Sequence, residues 1–356
     1  MTTDHVLRGA DLPPAAIEPV LDAIERHARE MPDRRALAFP EQGMTMSRRE
    51  LRERSHEVAL TLKRAGVKRG ELIGVMLRND ERFVPGILGT WYAGGVAAPA
   101  PIPGTFADAG VYAEHLHGMF EAAGIRRVVH DPSLSSEHTE LAARLNPGIA
   151  WIDGAARIEE WGAAPPEPPT PGDLALVSYT SGSTSAPRGV ELTHANVSAA
   201  ISAFGTRTEL GPDDAWGVWT PLFHDFALIS MLTALVFGAS VHIWSPTRFI
   251  RNPGRWLAEF GRAGATHYSG PNFSFDLMNE SAKDEVMDGV SLAAWRVAVS
   301  GGEPVSAATV RRFTERFAPY GLRPETIVPG YGLAEATLGV AAPVPSAQPR
   351  TITVSR

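Results

Sequence analysis

The sequence predicts an α/β fold: two stacked α/β subdomains with mainly parallel sheets flanked by helices. Three observations carry that expectation. Short apolar runs alternate with helix-length stretches along the chain, the pattern left when crossover helices connect parallel strands. Residues 163–173 (AAPPEPPTPGD) hold five prolines and no apolar periodicity, and they divide the chain into parts of similar size. Hydrophobic residues make up 44% of the 356 and charged residues 21%, which is core material for more than one unit and excludes a mainly disordered chain.

Taken in order, helical periodicity predicts helices over 15–30 and 47–65, the second opened by Ser47 with Glu50 at capping-box spacing. Residues 72–77 (LIGVML) read as a short buried strand, followed by a helical segment to Tyr92. Strands are expected at 96–100, 127–130 and 149–152, with helices over 107–123 and 136–145. Beyond the proline-rich segment come strand 174–179, helix 193–204, strand 216–219, helix 225–237 and strand 240–244. Helix 253–262, strand 266–269, strand 296–300, helix 306–318 and strand 326–329 complete the alternation. This assigns residues 1–165 to a first α/β subdomain and 166–356 to a second.

Composition removes several classes of function. A net charge of -7 implies no basic face, so nucleic acid is not an expected partner. The absence of cysteine excludes disulfides, a thiol nucleophile and cysteine-ligated zinc. The first residues lack a basic segment followed by an apolar one, and the longest apolar run, 226–241, is short for a bilayer span. A cytoplasmic protein with no membrane span is expected. Only Lys63, Lys68 and Lys283 are lysine among the 33 basic residues, so lysine chemistry is scarce.

The strongest chemical signal is residues 179–189, YTSGSTSAPRG, which follow the strand expected at 174–179. Small hydroxyl residues and glycines there present N–H and O–H donors to an anion with little obstruction. The Walker-A pattern is absent, and no Gly-x-Ser-x-Gly surrounds Ser181 or Ser183. Composition alone is equally compatible with an ordinary polar loop.

The order of those residues resembles the phosphate loop of the adenylate-forming enzymes, the acyl-CoA ligase and adenylation-domain superfamily. Thr180, Ser181, Gly182, Ser183, Thr184, Pro187 and Gly189 match its usual form. Ser185 stands where glycine is usual and Arg188 where lysine is usual, which keeps the charge but changes its shape. Three more segments resemble the fatty acyl-AMP ligase branch: PLFHDFAL at 221–228, with Ala227 in place of glycine, SGGEPV at 300–305, and PGYGLAEATL at 329–338. SGPNF at 269–273 is similar as well. The resemblance covers essentially the whole chain.

It implies ATP- and Mg²⁺-dependent conversion of a fatty acid to acyl-adenylate and pyrophosphate, with delivery to an acyl carrier protein. Alternatives are an acyl-CoA ligase or a non-catalytic nucleotide- or lipid-binding remnant. Thr180, Ser181, Gly182, Ser183, Thr184 and Arg188 would hold the phosphates, and Glu335 with Thr184 the metal. Tyr331 and Gly332 would meet the adenine opposite Gly301, Gly302 and Glu303. His224 would contact the acyl carboxylate, although a histidine before an apolar helix can equally be a cap. His224, Arg188 and Glu335 are thus the catalytic candidates, and Phe223, Gly270, Asn272 and Phe273 would line the acyl site with His224. Members of the superfamily continue into a β-barrel subdomain and a mobile C-terminal lid carrying a lysine. This chain is therefore expected to be an N-terminal domain without that lid, and a weak catalyst by itself.

Overall fold

The structure is a computed structural model describing residues 17–102, 108–134, 140, 143–144, 146–154, 168–180 and 188–345. Its first part holds α1 (Val20–Glu30), β1 (Arg35–Phe39), β2 (Met44–Ser47), α2 (Arg48–Arg64), β3 (Leu72–Met76) and α3 (Phe83–Tyr92). β4 (Val96–Pro99), α4 (Ala109–Ala123), β5 (Arg127–His130) and β6 (Ala150–Asp153) follow. Next come β7 (Leu174–Thr180), β8 (Arg188–Thr193), α5 (His194–Arg207), β9 (Ala215–Val218), α6 (Asp225–Val236) and β10 (Ser240–Ile243). α7 (Pro246–Arg251), α8 (Pro253–Arg262), β11 (His267–Gly270), α9 (Asn272–Ser281) and α10 (Asp284–Met287) lead to β12 (Val297–Ser300). The last elements are α11 (Ala307–Phe317), β13 (Ile327–Pro329), β14 (Tyr331–Gly332) and β15 (Gly339–Ala341).

Two mixed, mainly parallel sheets form, in the orders β13-β12-β11-β9-β10-β1-β2 and β6-β5-β3-β4-β7-β8. Only the outermost pairs β1–β2 and β7–β8 are antiparallel. A small β14–β15 hairpin stands apart. The expected α/β class holds, but sheet membership does not follow the division at 165/166. β1 and β2 join the sheet built mostly from later strands, while β7 and β8 complete the sheet built from earlier ones. The physical reason is that β1 is short and pairs in parallel with β10, Leu37 opposite Val241, a partnership that no local pattern encodes.

Alternating faces of each strand feed different cores. Between the sheets lies one apolar layer, in which Leu51 and Val58 of α2, Trp91 of α3, Ile201 of α5 and Leu228 of α6 are buried with Val75, Val218 and Val299. The outer face of the six-stranded sheet packs Met76 and Val128 against Tyr112, Leu116 and Phe120 of α4. The outer face of the other sheet packs Tyr268, Ala298 and Ile327 against Trp256, Phe260 and Phe313. The N-terminus of α2 carries the expected capping box, Ser47 and Glu50 each accepting the other's backbone N–H.

Most expected elements recur within a few residues. Helix 136–145 falls largely outside the described residues, as do residues 163–167 at the start of the proline-rich segment. Between the 179–189 loop and the helix expected at 193–204 lies β8, a strand not among the expected ones, and α5 starts at His194 behind Thr193, whose hydroxyl caps it. Among the described residues no helix is long and apolar enough to cross a membrane.

Candidate active site

The carboxyl ends of β9, β12 and β13 meet at one edge of the seven-stranded sheet, the usual location for ligands of open parallel sheets. A cavity of about 680 Å³ opens there between α5, the start of α6 and the β14–β15 hairpin. Its walls include His224, Asp225, Gly301, Gly302, Tyr331 and Gly332.

His224 is both candidate ligand and cap, since it is the N-cap residue of α6. Its Nδ1 lies 2.7 Å from Asp225 Oδ1, and the side chain is 62% exposed. The same carboxylate oxygen accepts the Phe226 amide at 2.7 Å. Its hydrogen bond with Asp225 raises the imidazole pKa above the usual value, against a smaller opposing effect of burial. Nδ1–H donation to Asp225 leaves Nε2 to face a ligand as acceptor when neutral and as donor when protonated.

The loop before His224 is fixed from the other sheet. Asn79, which follows β3, donates through Nδ2 to the carbonyls of Thr220 at 2.9 Å and Trp244 at 3.2 Å. Its Oδ1 accepts the Leu222 amide at 3.0 Å. One buried side chain therefore joins the ends of β3, β9 and β10, and sets the approach to His224.

Backbone contact, more than side-chain chemistry, explains the glycines. A Cβ on Gly301 would lie 2.9 Å from the Gly330 carbonyl oxygen, and one on Gly332 would lie 1.9 Å from that of Leu338. The Gly301 amide reaches the Gly270 carbonyl at 3.2 Å, and the Gly330 amide reaches that of Ser300 at 2.7 Å. Tyr331, 65% exposed, stands at the rim of the cavity with its ring free for stacking.

Other expected site residues do different work. Glu303 accepts the Phe273 amide at 2.7 Å, satisfying a free donor at the start of α9, and does not line the cavity. Asn272 accepts the Ser306 amide at 3.0 Å, tying α9 to the segment before α11. Gly270 gives room to Tyr268, whose hydroxyl would lie 2.0 Å from an added Cβ. Phe223 packs against the central core, and Phe273 is 43% exposed with its edge towards Trp219. Phe223, Gly270, Asn272 and Phe273 all lie outside the cavity wall.

Arg188 begins β8, exposed and directly opposite Thr180 across the antiparallel pair, outside the cavity wall. Ser181, Gly182, Ser183 and Thr184 fall outside the described residues, as does the Thr180 side chain. Glu335 is exposed in the one-turn 3-10 helix Ala334–Ala336. Among the described residues no group of three or more His, Asp or Glu could hold a metal ion. A lone exposed carboxylate does fit magnesium carried with a nucleotide, because that ion keeps several waters and takes phosphate oxygens.

Sequence reading missed Asn79, the pairing of Asp225 with His224, and the face of α5 formed by Ala200, Ala203, Phe204 and Arg207. The i, i+3, i+4, i+7 spacing of that face is a visible signal, but such a stripe ordinarily marks core.

Comparison with known proteins adds the following. Residues 24–355 match the AMP-binding enzyme family. The chain is 31% identical over 349 residues to the medium-chain-fatty-acid–[acyl-carrier-protein] ligase JamA of Moorena producens, covering 94% of this chain and 58% of that protein. It is 31% identical over 356 residues to the long-chain-fatty-acid–AMP ligase FadD26 of Mycobacterium tuberculosis, covering 95% and 60% respectively. A crystal structure of a fatty acyl-adenylate ligase from L. pneumophila, in complex with acyl adenylate and pyrophosphate, superposes with a TM-score of 0.81 at 27% identity. That match covers 91% of this chain and 56% of the other. The chain thus spans about three fifths or less of the length of these relatives.

Proposed function

This chain belongs to the AMP-binding enzyme family, and on that premise we propose that it is the N-terminal body of a fatty acyl-AMP ligase. The reaction it serves is attack by a fatty acid carboxylate oxygen on the α-phosphorus of ATP. The new oxygen–phosphorus bond forms as the bond to pyrophosphate breaks, giving acyl-AMP and pyrophosphate with no proton transferred. A cytoplasmic setting follows from the need for ATP. Transfer to an acyl carrier protein is the proposed next step, in keeping with the printed activity of the Moorena relative.

One observation carries the reading: a histidine held by an aspartate at the mouth of a cavity whose other walls are mainly glycine and apolar residues. Two anions must approach each other in this reaction, and a protonated imidazole between them offsets their repulsion. Asp225 favours that protonated form and orients the ring, so Nε2–H is the donor to substrate. Tyr331 provides a face for the adenine, and close backbone packing at Gly301 and Gly332 shapes the slot beside it. Arg188, with Thr180 to Thr184, would hold the outer phosphates. Magnesium bound with the nucleotide would supply charge neutralisation on phosphate oxygens, with Glu335 and Thr184 as its protein contacts.

Fatty-acid-dependent exchange of labelled pyrophosphate into ATP tests the proposal. Exchange that requires both fatty acid and magnesium is expected. No exchange and no saturable binding of either substrate would contradict it.

A further inference from the structure

The same cavity has a second polar end. α5 and α6 run in the same direction, from the carboxyl edge of the seven-stranded sheet to its amino edge. His224 opens α6 at the carboxyl edge. At the other edge, the Thr208 carbonyl just past α5 accepts a hydrogen bond from His267 Nε2 at 2.9 Å, and His267 is the first residue of β11. The far ends of the two helices lie side by side, since a Cβ on Gly205 would fall 2.2 Å from the Phe237 ring. With twelve residues in α6, Arg207 and His224 are separated along the helices by about 18 Å.

Both residues line the one cavity, and between them its wall is apolar, with Ala203, Phe204, Val299, Leu338 and Val340. His224 and Asp225 are paired with each other. Arg207 is half-buried and, among the described residues, has neither an ion pair nor a hydrogen-bonded partner for its guanidinium. An acyl chain with a methyl end would leave that cation in an apolar trough without a counter-charge. A carboxylate at the far end would meet it in a bidentate, charge-assisted pair.

We infer that Arg207 is a specificity-determining residue that selects acyl chains carrying a carboxylate at the end remote from the reacting one. The preferred substrate class is therefore the long α,ω-dicarboxylic acid, with one carboxylate at His224 and the other at Arg207. This rests on the proposed ligase function, takes the apolar wall beyond His224 as the seat of the acyl chain, and names the substrate class.

Isothermal titration of the 356-residue chain with dicarboxylic and monocarboxylic acids of matched length, ten to sixteen carbons, tests it. The expected result is a preference of about tenfold or more for the dicarboxylic acid that spans the cavity. Arg207→Gln should erase that preference, by weakening dicarboxylic acid binding and not monocarboxylic acid binding. Arg207→Lys should retain part of it, and Arg207→Glu should turn it towards ω-amino fatty acids. A wild-type chain without the preference, or a preference that survives in Arg207→Gln, overturns the inference. Equal loss of both acids in that variant also overturns it, because Arg207 would then hold the reacting carboxylate. Monocarboxylic acid binding with pyrophosphate exchange but no preference refutes this inference alone. Binding of neither acid class, with no exchange, refutes the ligase reading together with it.

Discussion

A histidine stands beside an aspartate at each edge of the seven-stranded sheet, and the two histidines shift their pKa in opposite directions. At the carboxyl edge His224 Nδ1 is 2.7 Å from Asp225, the ring is 62% exposed, and the hydrogen bond raises its pKa. At the amino edge His267 Nδ1 is 3.7 Å from Asp214 and the ring is wholly buried. Burial there lowers the pKa despite the aspartate. Nδ1 of His267 is 2.8 Å from the Thr266 hydroxyl, and Nε2 donates to the Thr208 carbonyl, so the neutral ring is fully satisfied. Asp214 serves Arg296 instead, which reaches both its oxygens at 2.9 Å. Desolvation decides between the two cases: the same residue types make a proton-holding site where water reaches them and a structural lock where it does not.

Substitution at the two aspartates tests that contrast most strongly. Asp214→Ala removes the partner of Arg296 and the acceptor of the Gly211 amide, 2.8 Å away. A loss of about 3 kcal/mol is expected, near the low end for a broken buried pair because Arg296 is 39% exposed. Asp225→Ala should cost less than about 1 kcal/mol, since His224 remains as cap. Equal shifts of the two urea midpoints would break the distinction between lock and site.

The buried histidines as a class make stability fall in acid. His194 and His242 are both pushed down to about 4, chiefly by burial, so their folded forms resist protonation that the unfolded chain accepts below pH 6.5. Stability is then fully present above pH 6.5 and declines as pH falls towards 4. His242 is 3% exposed and neither ring nitrogen has a partner among the described residues. At pH 5 it should account for about 2 kcal/mol of the decline. His242→Phe should flatten the slope of urea stability between pH 7 and pH 5, and an unchanged slope would reject that source. His224 acts with the opposite sign: its contribution is present below pH 6.5 and disappears as pH rises through its raised pKa.

Asp225→Asn sharpens the chemical side of the comparison. The variant should bring the His224 titration, followed by NMR, down towards the unperturbed value and lower pyrophosphate exchange above pH 7 by about tenfold. An unmoved titration would mean that Asp225 does not hold the proton. The smallest effect is expected for Glu335→Gln, which should weaken the magnesium dependence of nucleotide binding severalfold while stability changes by less than about 0.5 kcal/mol. Calorimetry with and without magnesium measures it, and an identical metal response removes Glu335 from the metal site.

Strands such as 72–77 and helices such as 253–262 were legible because their apolar periodicity is local. The assembly of the sheets was not. β1 finds β10 two hundred residues away, as Leu37 opposite Val241, and the proline-rich segment marks a connection without separating the sheets. At the site, ordered motifs located His224, Gly301, Gly302, Tyr331 and Gly332, which the fold gathers around one cavity. The motifs could not tell a ligand-facing side chain from one spent on the backbone, as Glu303 and Asn272 are. Asn79 and Arg207 belong to no motif, and only the packing of elements distant in sequence brings them to the site.

Binding of a non-hydrolysable acyl-adenylate analogue to this chain, compared with its His224→Ala variant, tests the central claim most directly. The predicted result is one saturable site in the parent chain, weakened at least tenfold in the variant, with urea stability changed by less than about 1 kcal/mol. Undiminished affinity in His224→Ala, or no binding by the parent chain, would contradict the assignment of this cavity to acyl-adenylate formation.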